Sequence, residues 1–172
     1  MKLDDLLRMK ILIVDDEPAN VALLQEVLIE NGYSRIEAVR DSKEVLATCE
    51  KFGPDLVLLD LMMPPPDGFA ILDSLRVERE ETFLPVVVLT ADTNEQTKRR
   101  ALDAGANDFL CKPFDHTEVI LRIRNLLETR RVHLLLDNQR AALEETFRER
   151  TAELHATIAE LQKRIEPVSH EA

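Results

Sequence analysis

Residues 55–68 read DLVLLDLMMPPPDG, and the first six of them decide the fold. Leu56 to Leu59 form a short unbroken apolar run, the character of a strand buried on both faces; a strand wet on one face alternates instead. The run ends in Asp60 and passes into a proline-rich loop, so an acidic side chain stands at the carboxyl end of a strand expected over 55–59. Three other runs have the same build: KILIV (10–14) before Asp15 and Asp16, PVVVLT (85–90) ending in Thr90, and DFLC (108–111) before Lys112. If these are parallel strands of one sheet, Asp15, Asp16, Asp60, Thr90 and Lys112 converge at its carboxyl edge, where open α/β sheets bind ligands. Three crowded carboxylates repel one another strongly, so the arrangement makes sense mainly around a divalent cation. A lysine and a hydroxyl beside such a cation suit the handling of a phosphoryl group.

Segments of helical period separate these runs, which predicts repeated βα units and a doubly wound five-stranded parallel sheet. The first helix opens at Pro18, with Val21, Leu24 and Leu28 facing inward, and Asn31-Gly32 closes it. The second strand, 35–39, is the least apolar and belongs at the sheet edge. Ser42 is the expected cap of a helix carrying Val45, Leu46 and Cys49. A third helix spans about 69–80, with Gly68 permitting the turn into it, and Asn94 caps a fourth that stops at Gly105. A fifth strand covers 107–111. Lys112-Pro113 is a candidate cis bond, as in other tight X-Pro turns.

The chain has 172 residues, 45% of them hydrophobic, with 22 basic against 33 acidic side chains for a net charge of −11. Residues 1–128 hold 15 of the basic and 25 of the acidic groups, so the acidity belongs to the globular part. That balance argues against a sequence-independent grip on nucleic acid or anionic lipid. Cys49 and Cys111 show no metal spacing and read as packed, reduced thiols. No apolar run approaches a membrane span, and the N-terminus lacks a signal-peptide core. The expectation is a soluble, cytoplasmic protein.

The acidic pair after strand one, the lone Asp60 after strand three, Thr90-Ala91 after strand four and Lys112-Pro113 after strand five resemble the receiver domain of bacterial two-component response regulators. The resemblance covers about residues 9–128 and implies a flavodoxin-like sheet of order 2-1-3-4-5. It implies that Asp60 is the phosphoacceptor, attacking a phosphohistidine on a sensor histidine kinase or phosphotransfer protein. Asp16 and Asp60 would ligate Mg²⁺ directly, Asp15 through water, and the main-chain carbonyl of Met62 would add an oxygen; Mn²⁺ would substitute. Lys112 and Thr90 would each engage a phosphoryl oxygen, and Phe109 would turn inward with Thr90, reshaping the face around the fourth helix, fifth strand and fifth helix. Met62 and Asp92, two residues beyond Asp60 and Thr90, would tune phosphate lifetime. Self-phosphorylation and autodephosphorylation are the only chemistry expected.

No Gly or Pro occurs between Phe114 and Pro167, which predicts a helix roughly 75 Å long at 1.5 Å per residue. Val132, Leu136, Gln139, Leu143, Phe147, Thr151, Leu154, Ile158, Leu161 and Ile165 follow a heptad-like seam with a phase slip near Phe147. A parallel homodimer through Val132 to Ile165 is expected. The organisation read from the sequence is an N-terminal extension (1–8), a receiver (9–128), a coiled-coil helix (129–166) and a disordered tail (167–172). The segment RERTAELHATIAELQ resembles linkers that precede histidine kinases, cyclases or HD-type cyclic-dinucleotide phosphodiesterases. Alternative readings are therefore a regulatory fragment of such an output enzyme, or a dimerisation scaffold indifferent to phosphate. An aspartate-nucleophile phosphatase is a further class, though it would usually carry a DxD motif and a cap.

Overall fold

The computed structural model describes residues 3–78, 82–92 and 94–165. The chain divides into two units, Met1–Val132 and His133–Ala172. The first holds a parallel sheet of order β2-β1-β3-β4-β5, with β1 at Lys10–Val14, β2 at Arg35–Val39, β3 at Leu56–Asp60, β4 at Val86–Thr90 and β5 at Asp108–Cys111. Every residue of β3 and β4 is buried, whereas β2 alternates between partial burial and exposure before ending in buried Val39. The apolar content of each strand thus tracks its place in the sheet, because only the inner strands are covered on both faces.

Helix α1 (Leu3–Leu7) precedes the first strand, α2 (Pro18–Glu30), α3 (Val45–Phe52), α4 (Gly68–Glu78) and α5 (Glu95–Asp103) connect successive strands, and α6 (His116–Ile165) follows the last. Proline opens α2, and its inward residues Val21, Leu24 and Leu28 are buried with Val27. Helix α3 ends at Gly53, whose φ of 63° lies in the left-handed region that glycine occupies without penalty. The Asn94 side chain caps α5 by accepting from the Gln96 amide. Lys112-Pro113 is cis, as its sequence suggested, and so is Pro65-Pro66.

Several expectations need correction. Asp60 is the last residue of β3 rather than the first beyond it, so the strand register holds its backbone. Helix α4 begins at Gly68, one residue before the expected start, and is described through Glu78; the rest of the expected 69–80 span lies outside the described residues. The glycine is there for space rather than for a turn: a Cβ on it would lie 2.3 Å from the Asp60 carbonyl oxygen and 2.5 Å from the Leu61 Cα. Ser42 is not the cap of α3. Asp41 caps a short 3₁₀ turn at Ser42–Glu44 ahead of that helix, while the buried Ser42 hydroxyl donates to the Pro64 carbonyl 3.1 Å away. The extension at 1–8 contains α1, which buries Leu6 in the first unit. The expected tail at 167–172 lies outside the described residues.

Helix α6 is continuous over 50 residues. In the first unit it buries Val119, Ile120, Ile123 and Leu127, followed one turn later by Arg130, which is only 5% exposed. Its guanidinium donates to the Phe83 carbonyl and lies 3.7 Å from Asp55, whose other oxygen accepts from the Lys10 amide at 2.9 Å. A charge so far from water needs partners of this kind. In the second unit Leu143, Phe147, Leu154, Ile158, Leu161 and Ile165 of the helix are each at least half exposed.

Candidate functional site

The carboxyl ends of β1, β3, β4 and β5 carry the five residues singled out by the sequence, and the ladder continues far enough to fix their backbones. The Asp15 amide donates to the Val39 carbonyl at 3.2 Å, the Leu61 amide to Leu89 at 3.2 Å, and the Lys112 amide to Thr90 at 2.8 Å. Side-chain placement therefore inherits the rigidity of the sheet.

Asp15 and Asp60 are buried, Asp16 is partly exposed, and one carboxylate oxygen from each lies within 4.8 Å of those of the other two. All-oxygen donors at this spacing fit a hard divalent cation such as Mg²⁺, which prefers carboxylates and waters to nitrogen or sulfur. The Lys112 ammonium bridges two of them, 2.8 Å from Asp15 Oδ2 and 2.9 Å from Asp60 Oδ2. Burial alone would pull this lysine's pKa down, but the hydrogen bonds and charges of the two aspartates outweigh that and raise it above its ordinary value. The second oxygen of Asp60 accepts from the Met62 amide at 3.1 Å.

Asp15 is the most heavily engaged member. Its Oδ1 accepts from the Glu17 amide at 2.9 Å, and the Asn20 amide nitrogen reaches both of its oxygens, at 3.2 and 3.1 Å. Asn20 was not singled out by the sequence. The available signal was an amide side chain in the first turn of the helix that follows the acidic pair.

Thr90 is 1% exposed, and its hydroxyl accepts from the Asp92 amide at 3.0 Å, holding the turn into α5. The Asp92 carboxylate accepts from the Thr97 hydroxyl at 2.6 Å and the Asn94 amide at 2.8 Å, which lower its pKa in that order of importance. Met62 has its side chain at the surface, 72% exposed. Phe109 is half-buried, with the Lys98 ammonium 4.6 Å from its ring centre and the Arg122 guanidinium 6.0 Å away. Arg122 in turn is paired to Asp108 and Glu118 at 2.6 Å each. The structure thus joins Asp15, Asp16, Asp60 and Lys112 into one cluster, and sets Phe109 between cations of α5 and α6.

Residues 11–124 match the family model described as "Response regulator receiver domain". The chain is 40% identical over 122 residues to the transcriptional regulatory protein PcoR of Escherichia coli, covering 71% of this chain and 53% of PcoR. It is 32% identical over 154 residues to a Vibrio cholerae protein named "Probable cyclic di-GMP phosphodiesterase", covering 90% of this chain and 34% of that protein. The crystal structure of the receiver domain of NtrX from Brucella abortus superposes with a TM-score of 0.64 at 34% identity, over 70% of this chain and 99% of that one. The chain spans about half the length of PcoR and comparable transcriptional regulators.

Proposed function

We propose, from the premise that this chain belongs to the response regulator receiver domain family, that it is a two-component response regulator taking a phosphoryl group on Asp60 from a sensor histidine kinase or phosphotransfer protein. The observation that carries this reading is Lys112 bridging buried Asp15 and Asp60, with Asp16 alongside. In the transfer, a carboxylate oxygen of Asp60 forms a P–O bond as the P–N bond to the donor histidine breaks, and the imidazole leaves with that electron pair. Asp15, Asp16, Asp60 and the main-chain carbonyl of Met62 are the oxygens that would hold Mg²⁺, with Mn²⁺ as a substitute. Once bound, the cation offsets the repulsion between these carboxylates and the incoming phosphoryl group.

Lys112 exchanges its hold on the two aspartates for a phosphoryl oxygen, the more highly charged acceptor. Thr90 reaches another by releasing the Asp92 amide, which loosens the turn into α5. Phe109 moves inward from between Lys98 and Arg122, and the α5, β5 and α6 face changes shape. We assign Met62 and Asp92 to phosphate lifetime; Met62→Asn should speed phosphate loss, timed by decay of the labelled protein, and an unchanged or slower decay removes the assignment.

Residues 9–128 serve as the receiver and 129–166 as a coil that pairs two copies in parallel. Supporting this is the seam of α6, where Val132, Leu143, Phe147, Leu154, Ile158, Leu161 and Ile165 leave at least half their surface open. The receiver carries out no chemistry beyond gaining and losing its own phosphate. Among the described residues no helix is long and apolar enough to cross a membrane, and Cys49 and Cys111 are not joined in a disulfide, which accords with the reducing cytoplasm. A second reading, a regulatory part of a larger output enzyme, is favoured by the Vibrio cholerae match that runs through 90% of the chain.

Labelling with acetyl phosphate and Mg²⁺ should add one phosphoryl group to the wild type and none to Asp60→Asn, read by intact mass. Oligomer size with beryllofluoride separates a phosphate-driven switch from a constitutive scaffold. Multiple turnovers of a small phosphate ester would instead mark a phosphatase.

A further inference from the structure

We infer that Asn20 is a positioning residue for the cation site, a neutral brace that holds the Asp15 carboxylate in place without neutralising it; this rests on the function proposed above. Asp15 is 0% exposed, so its charge is held by protein donors rather than by water. Four contacts reach it. The Glu17 amide is 2.9 Å from Oδ1, Lys112 is 2.8 Å from Oδ2, and Asn20 Nδ2 is 3.2 Å from Oδ1 and 3.1 Å from Oδ2. The Asn20 amide must present its nitrogen here, because its oxygen would face two acceptors with no proton between them.

The three donors behind these contacts divide by what happens to them. Lys112 also binds Asp60 at 2.9 Å, so it is the one that leaves when a phosphoryl group arrives there. The Glu17 amide touches one oxygen only and belongs to a backbone. Asn20 is the remaining side chain on Asp15 among the described residues, and it straddles both oxygens, which fixes the rotation of the carboxylate as well as its position. Its own placement is secure, since it sits in the first turn of α2, a helix begun by Pro18. Glu17 offers no side-chain cap to that helix, and the Asn20 amide is aimed at Asp15 rather than at helix backbone.

Charge is the deciding property. A lysine or arginine at position 20 would orient Asp15 equally well, yet would cancel the negative charge that attracts a divalent ion. An amide donates and leaves that charge intact. Partners of this kind, one shell behind the metal oxygens, commonly change metal affinity by about 10- to 100-fold when removed.

The test is Mg²⁺ affinity of the full chain by titration calorimetry for wild type, Asn20→Ala and Asn20→Lys, with metal-free thermal unfolding of each to establish folding. Asn20→Ala should bind Mg²⁺ about tenfold more weakly. Asn20→Lys should unfold at or above the wild-type temperature without metal and yet bind Mg²⁺ more weakly than Asn20→Ala, a combination that a merely structural role cannot give. An Asn20→Ala protein within about twofold of wild-type Mg²⁺ affinity overturns the inference whatever its melting temperature, and so does an Asn20→Lys protein that binds like wild type. Acetyl phosphate labelling separates the two levels: a wild type that binds Mg²⁺ but stays unlabelled at Asp60 defeats the functional reading, whereas Asn20→Ala binding like wild type defeats this one.

Discussion

Replacing Lys112 with methionine removes the cation that, among the described residues, bridges the acidic cluster. The methionine keeps most of the apolar stem, so the loss is chiefly electrostatic. Asp15 and Asp60 are then left as neighbouring buried carboxylates, each deprived of a charged hydrogen bond of under 3 Å. Breaking a buried pair by removing one partner typically costs about 3–5 kcal/mol. The lysine side chain is 18% exposed, so water recovers part of this, and we expect the lower figure, about 3 kcal/mol. For a unit of this size that corresponds to a fall in melting temperature of roughly 10 °C. The assay is thermal unfolding in chelator, followed by near-ultraviolet dichroism of Tyr33. It is the single tyrosine of a chain without tryptophan and is 4% exposed in the first unit, so it reports that unit and not the long helix. Saturating Mg²⁺ should then close most of the gap, because the ion replaces the missing positive charge, and the variant should bind Mg²⁺ more tightly than the wild type. A Lys112→Met protein as stable as wild type in chelator, or one whose deficit is untouched by Mg²⁺, refutes the reasoning.

Three further outcomes follow from the same geometry. The raised pKa of Lys112 means that its stabilising contribution is complete below its ordinary value of 10.5 and is lost as pH climbs through the higher folded-state value. The melting-temperature gap between wild type and Lys112→Met should therefore be constant through neutral pH and narrow only in strong alkali, as a series of unfolding curves in chelator would show. Gly68→Ala places a Cβ against the Asp60 carbonyl and the Leu61 Cα, neither of which can yield without moving the acceptor. It should cost on the order of 3 kcal/mol in urea unfolding and slow labelling by acetyl phosphate; a cost under about 0.5 kcal/mol would contradict the close approach. Ile158→Glu puts a charge on the exposed seam of α6. It should leave the receiver's labelling unchanged while reducing the particle mass in light scattering to that of a monomer, and a mass equal to wild type would count against the coil.

The sheet was legible in the sequence because its evidence is short-range. Four or five consecutive apolar residues mark a doubly covered strand wherever it sits, and the polar residue after each run must fall at the carboxyl edge once the strands are parallel. Asp15, Asp16, Asp60 and Lys112 came together on that argument, while the edge position of β2 followed from its low apolar content and the cap at Asn94 from its residue type. What the tertiary structure decided lies between segments remote along the chain. Ser42 resembles a cap by type and position, but the fold carries the loop of Pro64 to its hydroxyl. Arg130 was not singled out in the sequence, and its burial appears only where α6 packs it beside Asp55 and the Phe83 carbonyl. Gly68 looks like a turn residue, and only the return of α4 over β3 reveals that a side chain there has no room. The contact of Asn20 with Asp15 needs the first turn of α2 set against the end of β1 at one particular angle. Periodicity and residue type fix what each segment becomes. Which side chains meet is fixed by the packing of whole segments, to which every buried residue contributes and which no local pattern records.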